Sequence, residues 1–213
     1  DIDTEAMNLM VPIQTGSGGQ VLILGFGADQ SVWRFTLDSQ GLIGSPNIVV
    51  QLTAALQQQE NTTVETAVHV ILPSEGPRLF VGTDRGLLMA NSSDFAGGFE
   101  STWIFDISNA EDYVIPADAI DSALAARVQA LFVDGPRDAN GDITSPQTLW
   151  VGTRGGVHQF DLIVGPSTPL GAFSYDRMTN DEEFTANDIH AILPLGDEVI
   201  IGSQWGSWSL DAD

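Results

Sequence analysis

The sequence predicts an all-β protein built from four repeats of a small antiparallel sheet. The segment LWVGTRGGVHQFDL (149–162) has the pattern of a strand, a glycine-rich turn and a second strand. Similar segments recur at intervals of roughly 50 to 70 residues, a period typical of stacked supersecondary units. The other copies are LFVGTDRGLLMANSSD (79–94), VIIGSQWGSWSLDAD (199–213) and the looser LILGFGADQSVWRFTLD (22–38).

A short apolar strand is predicted before each glycine turn. Clusters of Gly, Pro, Asn and Asp follow these strands, and such clusters mark hairpin turns. The four predicted first strands are MNLMVP (7–12), VHVILP (68–73), VQALFV (128–133) and IHAILP (189–194).

A fourth apolar segment completes three of the copies, so the repeat is a meander of four strands. The chain stops where the last copy would begin this strand, which gives 15 predicted strands in a single region, 1–213. The predicted fourth strands are 45–52, 101–108 and 171–178, and the four units span 7–52, 67–108, 128–178 and 188–213.

Long polar links connect the units. The first link (53–66) is rich in Gln and Thr, and the last (179–188) is acidic. Between them, Ile120, Leu124 and Val128 are spaced as on one face of a helix, so a short helix is predicted there.

A single four-stranded meander cannot bury both of its faces, whereas units placed side by side around an axis can. The predicted architecture is therefore a β-propeller. Its four units either close into a small ring, with residues 1–6 supplying the missing outer strand, or form an arc of a larger ring. In the arc, apolar flanks would stay open and would favour association. The residues expected on these flanks are Leu9 and Val11 at one end and Trp208 and Leu210 at the other.

The motif LWVGTRGG followed by VHQFDL, with IHAILP-like strands before it, resembles the two-component-regulator propeller repeat. Residues 149–161 match the repeat closely, and the resemblance extends over all four units. It implies a propeller that acts outside the cytoplasm as a sensor or binding ring. Related rings include lyases and surface-anchored binding domains, and the same architecture hosts unrelated functions.

The charge is strongly negative: 29 Asp and Glu oppose 7 Arg, no Lys is present, and the net charge is -22. This charge argues against nucleic acids and anionic lipids as partners. A soluble acidic surface, adaptation to high salt and binding of divalent cations are three alternative explanations of this charge.

The sequence contains no run of 18 apolar residues, so no segment is predicted to insert into a membrane. The absence of Cys excludes disulfides and thiol chemistry. Because the chain opens on Asp1, we expect a mature or excised piece. The resemblance to extracytoplasmic propeller rings implies a location outside the cell or at its surface, or in the periplasm.

Alignment of the predicted first strands brings four polar residues to one equivalent position. Because strand residues alternate between faces, the four should point the same way and form a polar collar for a ligand. Alternatively, neighbouring backbone groups satisfy each of them. The set includes two amides, which are poor ligands for transition metals. The residues are Asn8, His69, Gln129 and His190.

The loop 134–145 carries oxygen-bearing side chains at alternate positions, as a Ca²⁺ site requires. It departs from the helix–loop–helix calcium pattern, because Leu149 stands where a Glu would complete the ligand set. A solvated turn rich in Asx residues is the alternative, and no other cofactor is predicted. The candidate ligands are Asp138, Asn140, Asp142 and Thr144.

Further candidate residues lie in the turns. Arg85 and Arg154 could bind a carboxylate ligand or pair with the chain's own acids, such as Asp84. Trp205 is a candidate for stacking on a sugar or for an interface. Two asparagines stand in triplets that match the N-glycosylation pattern and are candidate acceptors: Asn61 and Asn91.

The sequence lacks the Ser–His–Asp order, the nucleophile elbow, the zinc-protease motif and the phosphate loop. It therefore favours a non-enzymatic binding or structural module of a larger surface or sensor protein, with protein or carbohydrate as partner. The alternative is a polysaccharide lyase or hydrolase. In that enzyme His69 and His190 would serve as general acid and base, since the ordinary pKa of histidine suits proton transfer.

Overall fold

The computed structural model describes most of the chain outside several links and both ends. The described residues are 7–13, 21–38, 40–41, 43–73, 75–92, 94–113, 126–136, 143–154, 156–165, 169–173, 188–195, 198–203 and 206–211.

Within these residues, fifteen strands form four antiparallel sheets, and each sheet takes its strands in sequence order. Sheet 1 contains β1 (Met7–Ile13), β2 (Val21–Gly27), β3 (Val32–Leu37) and β4 (Asn47–Ile48). Sheet 2 contains β5 (Val64–Leu72), β6 (Gly76–Thr83), β7 (Gly86–Asn91) and β8 (Glu100–Asp106). Sheet 3 contains β9 (Val128–Asp134), β10 (Thr148–Thr153), β11 (Gly156–Asp161) and β12 (Pro169–Phe173). Sheet 4 contains β13 (Ile189–Leu195), β14 (Glu198–Ser203) and β15 (Gly206–Asp211). The predicted all-β fold, with four meanders and a three-stranded last unit, is confirmed.

The repeated Gly-Thr-x-x-Gly motif forms the hairpin between the second and third strands of a sheet. In sheet 2, Thr83 pairs with Gly86 across a two-residue turn, and the Thr83 hydroxyl donates to the Gly86 carbonyl at 3.0 Å. Gly86 has a φ of 147°, a backbone conformation that residues with a Cβ rarely adopt. Sheets 3 and 4 repeat both features, with Thr153 and Ser203 as the hydroxyl donors. The motif is therefore explained by turn geometry.

The first glycine of the motif allows the next sheet to approach closely. A Cβ on Gly82 would lie 2.5 Å from Val128, and one on Gly152 would lie 2.7 Å from Ile189. Val128 and Ile189 begin the first strands of sheets 3 and 4. Gly202 is equivalent to these two glycines, since each of the three pairs with the residue that follows the turn glycine.

The four sheets pack in sequence order, with their first strands adjacent: β5 contacts β1 and β9, and β13 contacts β9. Sheets 2 and 3 are covered on both faces. Leu79 and Val81 face sheet 1, whereas Phe80 faces sheet 3. In sheet 3, Val151 packs towards sheet 2 and Trp150 towards sheet 4. The alternation of strand residues thus supplies three successive cores between four sheets.

A helix corrects the prediction for the end of the first unit. The sequence predicted a fourth strand over 45–52 and a polar link from residue 53, but β4 has two residues and α1 (Val50–Gln57) follows it. Leu52, Ala55 and Leu56 are buried at helical spacing between the first two sheets. The Val32 amide also donates to the Thr53 hydroxyl at 2.9 Å. Tertiary burial of this apolar face therefore favours helix over strand.

Two other links differ from the prediction or lie outside the described residues. A 3₁₀ helix, Ala110–Asp112, follows β8, while residues 114–125 of the predicted short helix lie outside the described part. Val128, placed on that helix face, begins β9 instead. The acidic link also lies outside the described residues until Asp188.

The open face of sheet 1 is not the one that the sequence predicted. Leu9 and Val11 pack into the core shared with sheet 2, and Val11 is 5% exposed. Met10, on the opposite face, is 54% exposed. Alternation along β1 was correct, but its covered side was assigned wrongly. At the other end, Trp208 pairs with Ile201, and the Trp208 side chain lies outside the described residues.

Among the described residues, no helix combines the length and apolar character needed to cross a membrane.

Candidate polar site at the starts of the first strands

Every first strand carries a β-bulge near its start, and the bulged position is the same in all four sheets. The register skips one residue opposite the end of the second strand, between Met7 and Leu9 in β1 and at the matching place in the other three strands. Bulges redirect side chains and often lie beside functional sites. The four bulged residues are Asn8, Glu65, Gln129 and His190.

His69 does not belong to this set, which corrects the predicted collar. It pairs with Leu79, four residues beyond the bulged Glu65. The sequence alignment matched Pro73 with Pro12 and Pro194, but Pro73 lies in a turn, whereas the other two lie within strands. Proline is tolerated in β1 and β13 because both are edge strands of their sheets.

Ion pairs and hydrogen bonds link the bulged residues of neighbouring sheets. Between sheets 2 and 3, Arg127 Nη2 donates to Glu65 Oε1 at 2.7 Å. Arg127 immediately precedes β9, and both side chains are partly exposed. The contact is therefore a solvent-accessible ion pair, which stabilises the fold only modestly.

Between sheets 3 and 4, a longer chain of polar contacts begins at Gln129, whose Nε2 lies 3.2 Å from His190 Nδ1. His190 Nε2 is 3.5 Å from Asp188 Oδ2, and Arg154 Nε is 3.5 Å from Asp188 Oδ1. Arg154 comes from the β10–β11 turn, so a turn of sheet 3 reaches the start of sheet 4. We call the residues of these two groups, one group at each junction between sheets, the polar row: Glu65, Arg127, Gln129, Arg154, Asp188 and His190.

The polar row contains two acceptor atoms without a hydrogen-bond partner among the described residues. Asp188 is 5% exposed, and its Oδ1 makes no hydrogen bond with any described residue, since 3.5 Å to Arg154 is longer than a good one. Gln129 Oε1 is likewise buried without a hydrogen-bond partner in the described structure. Buried acceptors are normally satisfied by protein, water or a ligand. His190 is 47% exposed, so the row opens to solvent beside these atoms.

The hydrogen bonds assign a tautomer to His190. Because the Gln129 amide donates to Nδ1, the ring proton lies on Nε2 and points to Asp188. The row therefore presents Arg127 and Arg154 as donors and Asp188 and Gln129 as acceptors.

Two other histidines are withdrawn from solvent. Both ring nitrogens of His69 are buried without a hydrogen-bond partner among the described residues, and burial lowers the pKa of His69 to about 4. Burial lowers the pKa of His158 to about 3, and its Nε2 lies 3.1 Å from the Thr153 hydroxyl. Neither environment favours an imidazole that exchanges protons with a ligand near neutral pH.

The two turn arginines differ. Arg154 pairs with the chain's own Asp188, which was one of the two alternatives considered from the sequence. Arg85 lies partly buried in the β6–β7 turn, where its backbone amide donates to the Thr83 hydroxyl. Asp84, the suggested partner of Arg85, accepts from the backbone amide of Thr63 at 2.8 Å. Trp205 lies outside the described residues.

The candidate Ca²⁺ loop is described only at its edges. Asp138, Asn140 and Asp142 lie outside the described residues. The Thr144 hydroxyl donates to the Pro136 carbonyl at 2.9 Å, which closes the base of the loop. In the part of the chain that is described, no group of three or more His, Asp or Glu is arranged to hold a metal ion.

The two glycosylation triplets occupy different settings. Asn61 is exposed in the turn after α1 and has a φ of 58°. Asn91 ends β7, and its Oδ1 accepts from the Glu100 amide at 2.8 Å. Asn61 is therefore the more accessible of the two acceptors.

An open pocket of about 580 Å³ lies at the opposite end of sheet 2 from the polar row. The β5–β6 turn and the β7–β8 connection line it, and its lining includes Glu75, Arg78, Asp94 and Glu100. Arg78 is already paired with Glu75 at 3.0 Å. The remaining carboxylates give this pocket an acidic character, and Arg78 Nε is buried there without a hydrogen-bond partner among the described residues.

Asp188, Arg127 and Glu65 were missed as site residues in the sequence. Asp188 stands two residues before His190, and Arg127 two residues before Gln129, so each precedes a bulged position by the same spacing. That shared spacing was the available signal. Comparison of the chain with protein-family models and with curated proteins finds no match.

Proposed function

We propose that this chain is a non-enzymatic binding module of β-propeller type, exposed outside the cytoplasm, and that the polar row is its contact surface for a neutral carbohydrate. The propeller arrangement is supported by the sequential packing of four meanders with adjacent first strands. In such an arrangement the first strands lie nearest the axis, where a ligand can touch several sheets at once.

The observation that carries the proposal is the repeated bulge. The same backbone irregularity occurs in four first strands that differ in sequence, and it places a polar residue at the start of each. Three of these residues take part in contacts between sheets, and two buried acceptors beside them, Asp188 Oδ1 and Gln129 Oε1, have no hydrogen bond with any described residue. A purely structural network would leave fewer acceptors unsatisfied.

The mixed chemistry of the polar row favours sugar hydroxyls. A hydroxyl both donates and accepts, so it can accept from Arg154 while donating to the Asp188 carboxylate. The net charge of -22 opposes a polyanion. Neutral oligosaccharides therefore fit better than uronic acid polymers.

Calorimetric titration with neutral gluco-, manno- and xylo-oligosaccharides tests the proposal, with oligogalacturonate as the charged comparison. We expect binding of at least one neutral series and none of oligogalacturonate. Arg154→Gln should weaken that binding by about tenfold or more, because a hydrogen bond to a charged group contributes roughly 1.5–3 kcal/mol.

Arg78→Gln is the matched control, since Arg78 also forms an ion pair with a nearby carboxylate but lies at the other end of sheet 2. It should leave the affinity unchanged. If both substitutions weaken binding equally, the ligand does not bind at the polar row. If no neutral series binds, the carbohydrate assignment is rejected.

The alternative lyase or hydrolase activity is favoured by one contact, the His190–Asp188 pair, in which a carboxylate orients an exposed imidazole. The second proposed catalytic histidine, His69, lies four residues from the bulge, and both of its ring nitrogens are buried. A search for unsaturated products by ultraviolet absorbance, and for new reducing ends, tests this activity on the same polysaccharides. If the protein turns over one of these polysaccharides and His190→Gln abolishes the turnover, the protein is an enzyme and the binding-module proposal is wrong.

A further inference from the structure

The two ends of the sheet stack present apolar faces on which no other described sheet packs, and each face has exposed apolar side chains. On sheet 4, Leu193 and Leu195 are 60% and 65% exposed, and the register pairs them with Ile200 and Glu198. We call this surface, with Ala191 and Gly202, the sheet 4 outer face. The sheet 1 outer face lies at the other end of the stack. Met10, Val21 and Ile48 are exposed on it, Ile23 and Trp33 are partly buried, and Phe35 is 6% exposed.

The sheet 4 outer face repeats the surface on which the preceding sheets receive a neighbour. Gly82 and Gly152 leave the space that Val128 and Ile189 of the next sheet fill. Gly202 occupies the same register position, and among the described residues a Cβ there would meet Ala191 of its own sheet, at 3.3 Å, and no residue of another sheet. The position that accepts a next sheet is therefore present on sheet 4, and no described residue of a further sheet fills it.

The sheet 1 outer face carries the complementary element. Met7 precedes the bulge of β1, as Val128 and Ile189 precede the bulges of β9 and β13. Its sulfur lies over Gly25, so the side chain is on the face turned away from sheet 2. Met7 thus stands where the residue that packs against Gly202 should stand.

We propose that the sheet 4 outer face of one copy of this chain docks on the sheet 1 outer face of a second copy, in continuation of the internal stack. Both faces belong to every copy, so the contact is head-to-tail and closes a ring when the rotation allows. The proposal does not depend on the ligand of the polar row.

Charge sets the conditions for this association. Each copy carries a net charge of -22, while Leu193, Met10 and their neighbours named above are mostly uncharged. Long-range repulsion therefore opposes the contact at low ionic strength, and salt screens it. Burial of apolar surface then drives association.

Sedimentation velocity of the full chain, over a range of protein concentrations in low salt and in molar NaCl, tests the proposal. We expect concentration-dependent association that salt strengthens. Leu193→Glu and Met10→Glu should each weaken association by at least about tenfold, because each places a charge in an apolar contact. Val164→Glu is the control: Val164 is 72% exposed, and it lies in the turn after β11, away from both faces.

A mixture of the two variants distinguishes the head-to-tail contact from contacts between like faces. Leu193→Glu keeps an intact sheet 1 outer face and Met10→Glu keeps an intact sheet 4 outer face, so the mixture should recover a one-to-one pair that neither variant forms alone. If Met10→Glu leaves association unchanged, two sheet 4 outer faces meet and the proposal is overturned. A monomer at every concentration and salt level also overturns it, and would indicate that another part of a longer chain or a different protein covers these faces.

Discussion

Acid should destabilise this protein through His158, the most deeply buried of its described histidines. The Thr153 hydroxyl donates to the Gly156 carbonyl at 3.2 Å and therefore accepts the proton of His158 Nε2. The other ring nitrogen, Nδ1, is buried with no hydrogen-bond partner in the described structure. A protonated ring would place a second N–H there without an acceptor, so burial lowers the pKa of His158 to about 3.

The sign and size of the effect follow from proton linkage. The unfolded chain takes up this proton below its ordinary pKa of about 6.5, whereas the folded chain does so only near 3. Stability is therefore full above the unfolded pKa and is lost progressively as the pH falls from about 6.5 towards 3. At pH 5 the loss is RT ln(1 + 10^1.5), or about 2 kcal/mol.

Urea unfolding of the wild type and of His158→Gln, at pH 7 and at pH 5, measures this loss. Glutamine keeps an N–H donor for Thr153 but does not titrate, so its free energy of unfolding should fall by about 2 kcal/mol less than that of the wild type over this interval. His190→Gln, at a histidine whose side chain is 47% exposed, is the comparison variant for loss of an imidazole outside the core. An identical pH dependence in the wild type and His158→Gln would show that His158 is not held neutral by the fold.

Three further predictions address packing and charge. Gly152→Ala should lower the free energy of unfolding by roughly 1–3 kcal/mol, because the added Cβ would overlap Ile189. Gly202→Ala is the control and should lower it far less. Equal losses of stability in thermal unfolding would contradict the stacking of sheet 4 on sheet 3. Leu56→Ala should lower the free energy of unfolding by about 2–5 kcal/mol, since Leu56 is fully buried between α1 and the first two sheets. If the loss is no larger than for Gln57→Ala, at an exposed position of the same helix, α1 does not belong to the core. With a net charge of -22, the melting temperature should rise from low to molar NaCl through screening. A flat NaCl response with a sharp rise on micromolar Ca²⁺ would instead favour cation binding at 138–144.

Most of the strand pattern could be predicted because hairpins depend on neighbouring residues. The first strands were placed correctly within a few residues. Two Gly-Thr-x-x-Gly copies and one Gly-Ser-x-x-Gly copy marked three of the turns. The helix α1 was missed although Leu52, Ala55 and Leu56 carry its spacing, because a short apolar segment is compatible with either a strand or a helix. Burial between sheets 1 and 2 decided between them.

The shared strand position of three polar residues was predicted, and their role as a binding site stays a prediction. Asn8, Gln129 and His190 were grouped correctly, since each stands at the start of an apolar strand. In β5, His69 was predicted at this position instead of Glu65. The reason is that β5 extends further upstream than its apolar core suggests, so that an alignment on Pro73 gave the wrong register. The contacts of Arg154 with Asp188 could not be predicted, since they join a turn of one sheet to the start of the next.

The sequence alone determined the features that depend on residues close together in the chain. In sheets 2, 3 and 4 a hydroxyl three residues before a glycine closes the turn between the second and third strands. The alternation of apolar residues defines two faces on each strand. Tertiary structure decided which of the two faces is covered, as at Val11 and Met10, and which polar residues meet across sheets. The physical reason is that alternation has two equivalent solutions for each strand, and only packing against a neighbouring sheet removes one of them.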